Sequence, residues 1–273
     1  GKSTPIPCEI PEKPFAKTYS TQIPSETLEQ CGKDIDVSRY FSSQAAKDIE
    51  WVRIQYGYEQ INVYAVSYGT RVALALLKNH PLGLRQVVLD GVIANQTPLG
   101  YSFERDAGNA LRKLLIDCEE DVSCAAAFPQ LQTEFNQLLL ALKTPKSVAV
   151  RNPKTGEKSR ISIDSQGFLL ALRTVLYSAE LSSMLPFAIH RAANGDWGPF
   201  VAQTALNFGA DVGIGLNLSI VCSEDVSRLS ASPTQPDALF ASLLRESVIE
   251  MCSTWPKATP QAAQHVPTFS DLP

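Results

Sequence analysis

Between residues 42 and 91 the chain alternates helix-like and strand-like patterns with short links, and this order restricts the fold more than any other feature. Ser42 or Ser43 is placed to cap a helix running to about Tyr56. Ala45, Ile49, Val52 and Tyr56 share one face at helical spacing, and Gly57 supplies the stop. The β-branched run Ile61-Asn62-Val63-Tyr64-Ala65-Val66 has strand length. A second helix is expected from about Tyr68 to Asn79, ended by His80-Pro81. Gln86-Val87-Val88-Leu89 is a second short apolar strand, closing in Asp90-Gly91. Helix, strand, helix, strand with links this short predicts an α/β fold built on a parallel, doubly wound sheet.

From about Pro98 the rhythm changes. Helical patterns cover 101–117, 128–142, 165–177, 180–193 and 235–252, with Pro186 interrupting the fourth. One hairpin is expected, Ser147–Val150 against Arg160–Ile163, turned by Asn152-Pro153-Lys154-Thr155-Gly156. Asn207–Asn217 is Gly-rich and reads as a loop. A mostly helical block after a βαβ unit reads as an inserted cap. The expected division is therefore a core portion over 1–97, a cap over 98–255 and a loop returning to the core over 256–273.

Composition narrows the function. With 24 Lys+Arg against 28 Asp+Glu and a net charge of -4, no basic field is available to hold nucleic acid. No apolar run approaches the roughly 18–20 residues that span a bilayer. The six cysteines allow about fifteen pairings. Their spacing favours local bridges: Cys118–Cys124 around a short acidic loop, Cys8–Cys31 around a Pro- and Thr-rich stretch, and Cys222–Cys252 around a loop and helix. Such bridges imply an oxidising, extracytoplasmic compartment; six buried thiols in a reducing one are the alternative. None of the cysteines lies in a CxxC or Cys/His array suited to zinc, and no metal or organic cofactor is implied.

Two short segments invite a chemical reading. Gly1-Lys2-Ser3-Thr4 resembles the tail of a phosphate-binding loop, but Pro5 and Pro7 forbid the helix such a loop requires. Ala65-Val66-Ser67-Tyr68-Gly69-Thr70 lies between strand and helix, the setting of a nucleophile elbow. There a sharp turn lifts a serine hydroxyl out of the sheet, and the residues two before and two after must be small because the turning backbone brings them together. Ala65 and Gly69 meet that need. The Tyr68 backbone N–H, at the start of the following helix, is placed to stabilise an oxyanion.

A serine nucleophile needs a base and an orienting acid. Of the three histidines, His80 reads as helix-terminal and His190 as a packing or surface residue of a cap helix. His265 lies in the terminal polar loop and follows Ser67 in chain order, as the base does in such folds. Asp90, at the end of the second strand, is a candidate acid, with Asp225 a weaker one. The triad Ser67, Asp90, His265 is one expectation; its difficulty is that no strand precedes His265.

Tyr40 to Glu50, Gly57 to Tyr64, the Ser67-Tyr68-Gly69-Thr70-Arg71 elbow and Val87-Val88-Leu89-Asp90-Gly91-Val92 together resemble the α/β-hydrolase family of bacterial tripeptidyl and prolyl aminopeptidases. Cys118 to Pro129 and Val221-Cys222-Ser223-Glu224-Asp225 extend the resemblance into the cap. It implies an α/β-hydrolase fold, here with a partial parallel sheet and a mostly helical cap, that acts through an acyl-enzyme on Ser67. The implied substrate is a short peptide with a free N-terminus, whose ammonium cap carboxylates such as Glu224 and Asp225 would bind. By the same resemblance the chain is truncated at both ends. Gly1-Lys2-Ser3 matches the end of an Asp-x-Arg-Gly-x-Gly-x-Ser stretch, and the acid and base fall beyond Pro273. An esterase or lipase on the same scaffold, or a binding protein that has lost catalysis, are the alternatives.

Overall fold

A computed structural model of the chain describes residues 19, 28, 31, 36–207, 213–231, 239–240, 243–259 and 262–273. Helix α1 (Ser42–Gln55) leads into strand β1 (Ile61–Val66), helix α2 (Tyr68–Asn79), a 3-10 turn (Pro81–Gly83) and strand β2 (Leu84–Asp90). The strands pair in parallel, Val63 opposite Val87 and Val66 opposite Asp90. A right-handed helical crossover is the connection that parallel neighbours require. A small core of Ala46, Ala75, Leu76 and Leu84 joins α1, α2 and the sheet, with Leu272 of the tail packed against it. The tail also reaches the free edge of β2, where Val87 N–H donates to the Pro273 carbonyl (3.1 Å).

The face that α1 buries is not the one its periodicity indicates. Ser42 and Ala46 point inward, with an ion pair between Glu50 and Arg53 (2.7 Å) on the same side. Val52 is 46% exposed and Tyr56 73%. Close approach explains the inversion. Gly83 sits so near α1 that a Cβ there would lie 2.7 Å from Arg53 Nε. Only a small residue such as Ala46 fits where the two helices meet.

The second layer of the molecule comprises α3 (Phe103–Glu120), α4 (Val122–Ala127), α5 (Leu131–Ala141), the antiparallel hairpin β3 (Lys146–Arg151) and β4 (Lys158–Ile163), and α6 (Ser165–Val175). It continues through α7 (Ala179–Ser182), α8 (Leu185–Ala193) and α9 (Gly198–Asn207). Leu111, Phe135, Ile161, Phe168, Leu172, Ile189 and Phe200 fill one continuous core, with the Phe168 and Phe200 rings stacked at 4.9 Å. Asp121 and Asp164 cap α4 and α6, accepting from the N–H groups of Cys124 and Gly167.

Several sequence expectations change. The acidic stretch between Cys118 and Cys124 is mostly helix, because Asp121 supplies a cap that restarts the chain after α3. Pro186 divides its helix into α7 and α8, lying in the first turn of the latter, where a missing N–H costs nothing. Helix α10 (Ile214–Ile220) begins inside the expected Gly-rich loop and continues through a π-helical turn (Val221–Asp225) into α11 (Val226–Ala231). Residues 208–212 of that loop lie outside the described residues. The last long helix, α12, is Leu243–Thr254, and residues 235–238, 241 and 242 of its expected range also lie outside them. Disulfides join Cys118 to Cys124 and Cys222 to Cys252. Cys8, half of the third expected pair, lies outside the described residues.

Candidate active site

Ser67 occupies the single residue between β1 and α2, with φ 53° and ψ −124°. Among the described residues it is the one non-glycine with positive φ. Such a conformation is strained for a side chain with a Cβ and persists only where the surroundings over-determine it. The backbone around it is correspondingly tied. Ser67 N–H donates to the Asp90 carbonyl (2.9 Å), and the Ser67 carbonyl accepts from Thr70 N–H (3.0 Å) and from the Thr70 hydroxyl (2.6 Å). That hydroxyl in turn accepts from Ile93 N–H (2.9 Å). A Cβ on Gly69 would lie 3.9 Å from that of Ala65, so the two small residues do face each other across the turn.

The side chain of Ser67 is exposed. Its helix starts at Tyr68 without a side-chain cap. The first N–H groups of α2 therefore have no partner within the helix, and their dipole points at the space beside the serine. The Tyr68 ring turns the other way, with its hydroxyl 3.1 Å from Ser42 Oγ. Burial pushes the phenol up to about 12, so it is neutral at ordinary pH.

Asp90 ends β2 and meets Ser67 through its backbone; its carboxylate accepts from the Tyr64 hydroxyl (2.9 Å). His265 sits in the 3-10 turn Ala262–His265. Burial first, then the nearby Arg228 guanidinium, hold its imidazole below the usual histidine range, while the Asn95 backbone works in the opposite sense. No hydrogen bond among the described residues links Ser67 Oγ to a histidine or carboxylate. Of the residues expected to act with Ser67, Asp90 meets it through the backbone carbonyl alone, while His265 hydrogen-bonds the Asn95 backbone in the loop after β2. His190 pairs instead with Glu134 (2.9 Å) between α5 and α8.

Glu224 and Asp225 are in a different situation from the one the sequence led us to expect. Both lie in the π-helical turn and are buried, at 1% and 0% exposure. Glu224 accepts from the Ser42 hydroxyl (2.9 Å) and from Ser42 N–H. Arg71, itself 2% exposed, reaches Asp225 (2.7 Å) and Glu224 (3.4 Å) with Nη1 and the Thr97 carbonyl (2.9 Å) with Nη2. Arg228 closes the cluster on the other oxygen of Asp225 (2.9 Å). In this conformation neither carboxylate faces an opening, because protein donors occupy both. Burial raises the Glu224 carboxyl above its ordinary value against the pull of Ser42 and Arg71. Sequence reading missed Arg71; the signal was an arginine one turn inside an otherwise apolar helix.

The parallel βαβ unit and its strained serine turn agree with the comparison to known proteins. Residues 1–116 match a family model described as alpha/beta hydrolase fold. The fold is an α/β-hydrolase fold with a mostly helical cap. The chain is also similar to the Serine protease Hip1 of Mycobacterium tuberculosis, 22% identical over 182 residues, 63% of this chain and 35% of that protein. It is 26% identical over 139 residues to the Putative hydrolase YuaR of Escherichia coli, covering 48% of this chain and 28% of that one. The chain thus spans about a third of the length of the curated relatives it matches. No helix among the described residues is long and apolar enough to cross a membrane.

Proposed function

We propose that this polypeptide carries the nucleophile of a serine hydrolase acting on short peptides. Ser67 attacks the carbonyl, forming an acyl-enzyme that water resolves, and the Tyr68 N–H donates to the oxyanion. The observation carrying this reading is the isolated positive φ of Ser67, exposed between a parallel strand and a helix N-terminus. A strained serine in that position fits a nucleophile elbow and has no evident structural use. Similarity to a protein named as a serine protease supports a peptide rather than an ester as substrate. Release of residues from a free N-terminus is the finer form of the proposal. It draws on the aminopeptidase resemblance, and Glu224 would serve it only by giving up its present partners Ser42 and Arg71. The division into a core over 1–97, a cap over 98–255 and a returning loop over 256–273 belongs to the same proposal, as does an oxidising compartment, with which the two disulfides are compatible.

A fluorophosphonate probe tests the assignment on the protein in its full reading frame. Labelling should map to Ser67 and vanish in Ser67→Ala; labelling that survives the substitution excludes this nucleophile. Hydrolysis of peptidyl anilides with a free amino terminus, and little of N-blocked ones, is expected. Turnover of p-nitrophenyl esters alone would replace the peptidase reading with an esterase.

A further inference from the structure

We infer that Arg71 is a positioning residue that locks the cap onto the elbow and thereby holds Ser67 in its strained conformation; the inference rests on the hydrolase reading of Ser67. Three observations converge on it. Arg71 lies one turn beyond Ser67 on α2, so its guanidinium is rigidly related to the elbow. That guanidinium bridges segments distant in sequence, namely the cap carboxylates at 224 and 225 and the Thr97 carbonyl in the loop after β2. Glu224 carries the link onward to Ser42 at the start of α1, whose hydroxyl also meets Tyr68. One buried cation on α2 is therefore tied to the cap and to the loop after β2, and through Glu224 to the start of α1.

The cluster balances its charge, Arg71 and Arg228 against Glu224 and Asp225. A buried set of this kind is weak as a source of stability, since apolar replacements of similar volume do as well or better. What it can supply is a single permitted arrangement, because a shifted cap would leave a charge buried without a partner. The carboxylates sit in the π-helical turn between α10 and α11, a local departure from regular helix that is often found where function requires it. The strain at Ser67 needs such over-determination. Thr70, hydrogen-bonded to both Ser67 and Ile93, makes the short-range tie, and Arg71 makes the long-range one.

The test measures the rate of fluorophosphonate labelling at Ser67 in the full-length protein, well below its melting temperature. Arg71→Lys keeps the buried charge but cannot span Asp225 and the Thr97 carbonyl with one nitrogen. It should label several-fold more slowly, and Arg71→Met about tenfold or more, as expected when a reacting group is misplaced. Leu172→Ala, in the cap core and away from the cluster, should lower the melting temperature while labelling within about twofold of wild type. Labelling by Arg71→Lys at the wild-type rate, or an equal slowing in Leu172→Ala, overturns the inference. If the wild-type protein shows no Ser67-dependent labelling, the hydrolase reading falls. The lock is then judged by hydrogen exchange of the 68–73 amides: faster exchange in Arg71→Lys supports it, and unchanged exchange overturns it.

Discussion

At residue 224, burial and hydrogen bonding oppose each other, and burial prevails. The carboxyl holds its proton more tightly in the folded chain than in the unfolded one. The folded state therefore binds more protons over a window that opens at the ordinary glutamate value of 4.5 and extends above it. Stability is greatest below that window and falls as pH rises through it. Glu224→Gln should flatten this part of the pH profile, as read by urea denaturation at a series of pH values; an unchanged slope would contradict the assignment. A second prediction concerns space. A Cβ on Gly167 would lie 1.9 Å from the Tyr19 carbonyl oxygen, and Tyr19 is fixed by its hydroxyl contact with Thr204 (2.6 Å). Gly167→Ala should destabilise the chain by about 1–3 kcal/mol, as overpacking does, measured by the same denaturation.

Single elements show where pattern reading works and where it fails. Helix α6 was legible from its apolar stripe, and the structure adds the Asp164 cap at its start; Asp164→Ala should cost about 1 kcal/mol in chemical denaturation, the usual value of such a cap. Strands β1 and β2 were legible for the same reason, with β-branched runs bounded by turn residues. The buried face of α1 was not, because its apolar residues point outward and its inner side is small or ion-paired. Helix α9 opens with Gly198-Pro199, which reads as a turn; a proline in the first helical turn was the signal that could have revealed it. Glycines 213 and 215 disguised α10 in the same way. The Cys222–Cys252 bridge pins the π-helical turn to α12. Replacing both cysteines by serine should cost about 2–4 kcal/mol and speed exchange of the amides around 222–225.

At the scale of the whole molecule, the described residues cover the parallel pair β1–β2 on one face only. Tyr64, Val66 and Val88 are 67%, 51% and 56% exposed, and Trp51 and Ile54 on α1 are 62% and 54% exposed. Parallel strands are ordinarily buried on both faces, and exposed apolar side chains on the sheet and on α1 promote association. The 273-residue polypeptide by itself should bind a hydrophobic dye and self-associate. Sedimentation velocity should show less association after Trp51→Lys with Ile54→Glu, and an unaltered distribution would place the sticky surface elsewhere.

Local order was written in the sequence. The βαβ unit, the hairpin and the serine between small residues each follow from contacts within a few residues, where periodicity, caps and glycines act directly. The fates of His265, Glu224 and Arg71 were not, because each depends on segments brought together from distant parts of the chain. Sequence position put His265 after Ser67, yet packing set it against the loop after β2. Two adjacent carboxylates read as a ligand-facing pair until the tertiary fold placed an arginine from the elbow helix against them. Burial and charge pairing are properties of the assembled molecule, so the residues whose chemistry depends on them were the ones that only the structure could assign.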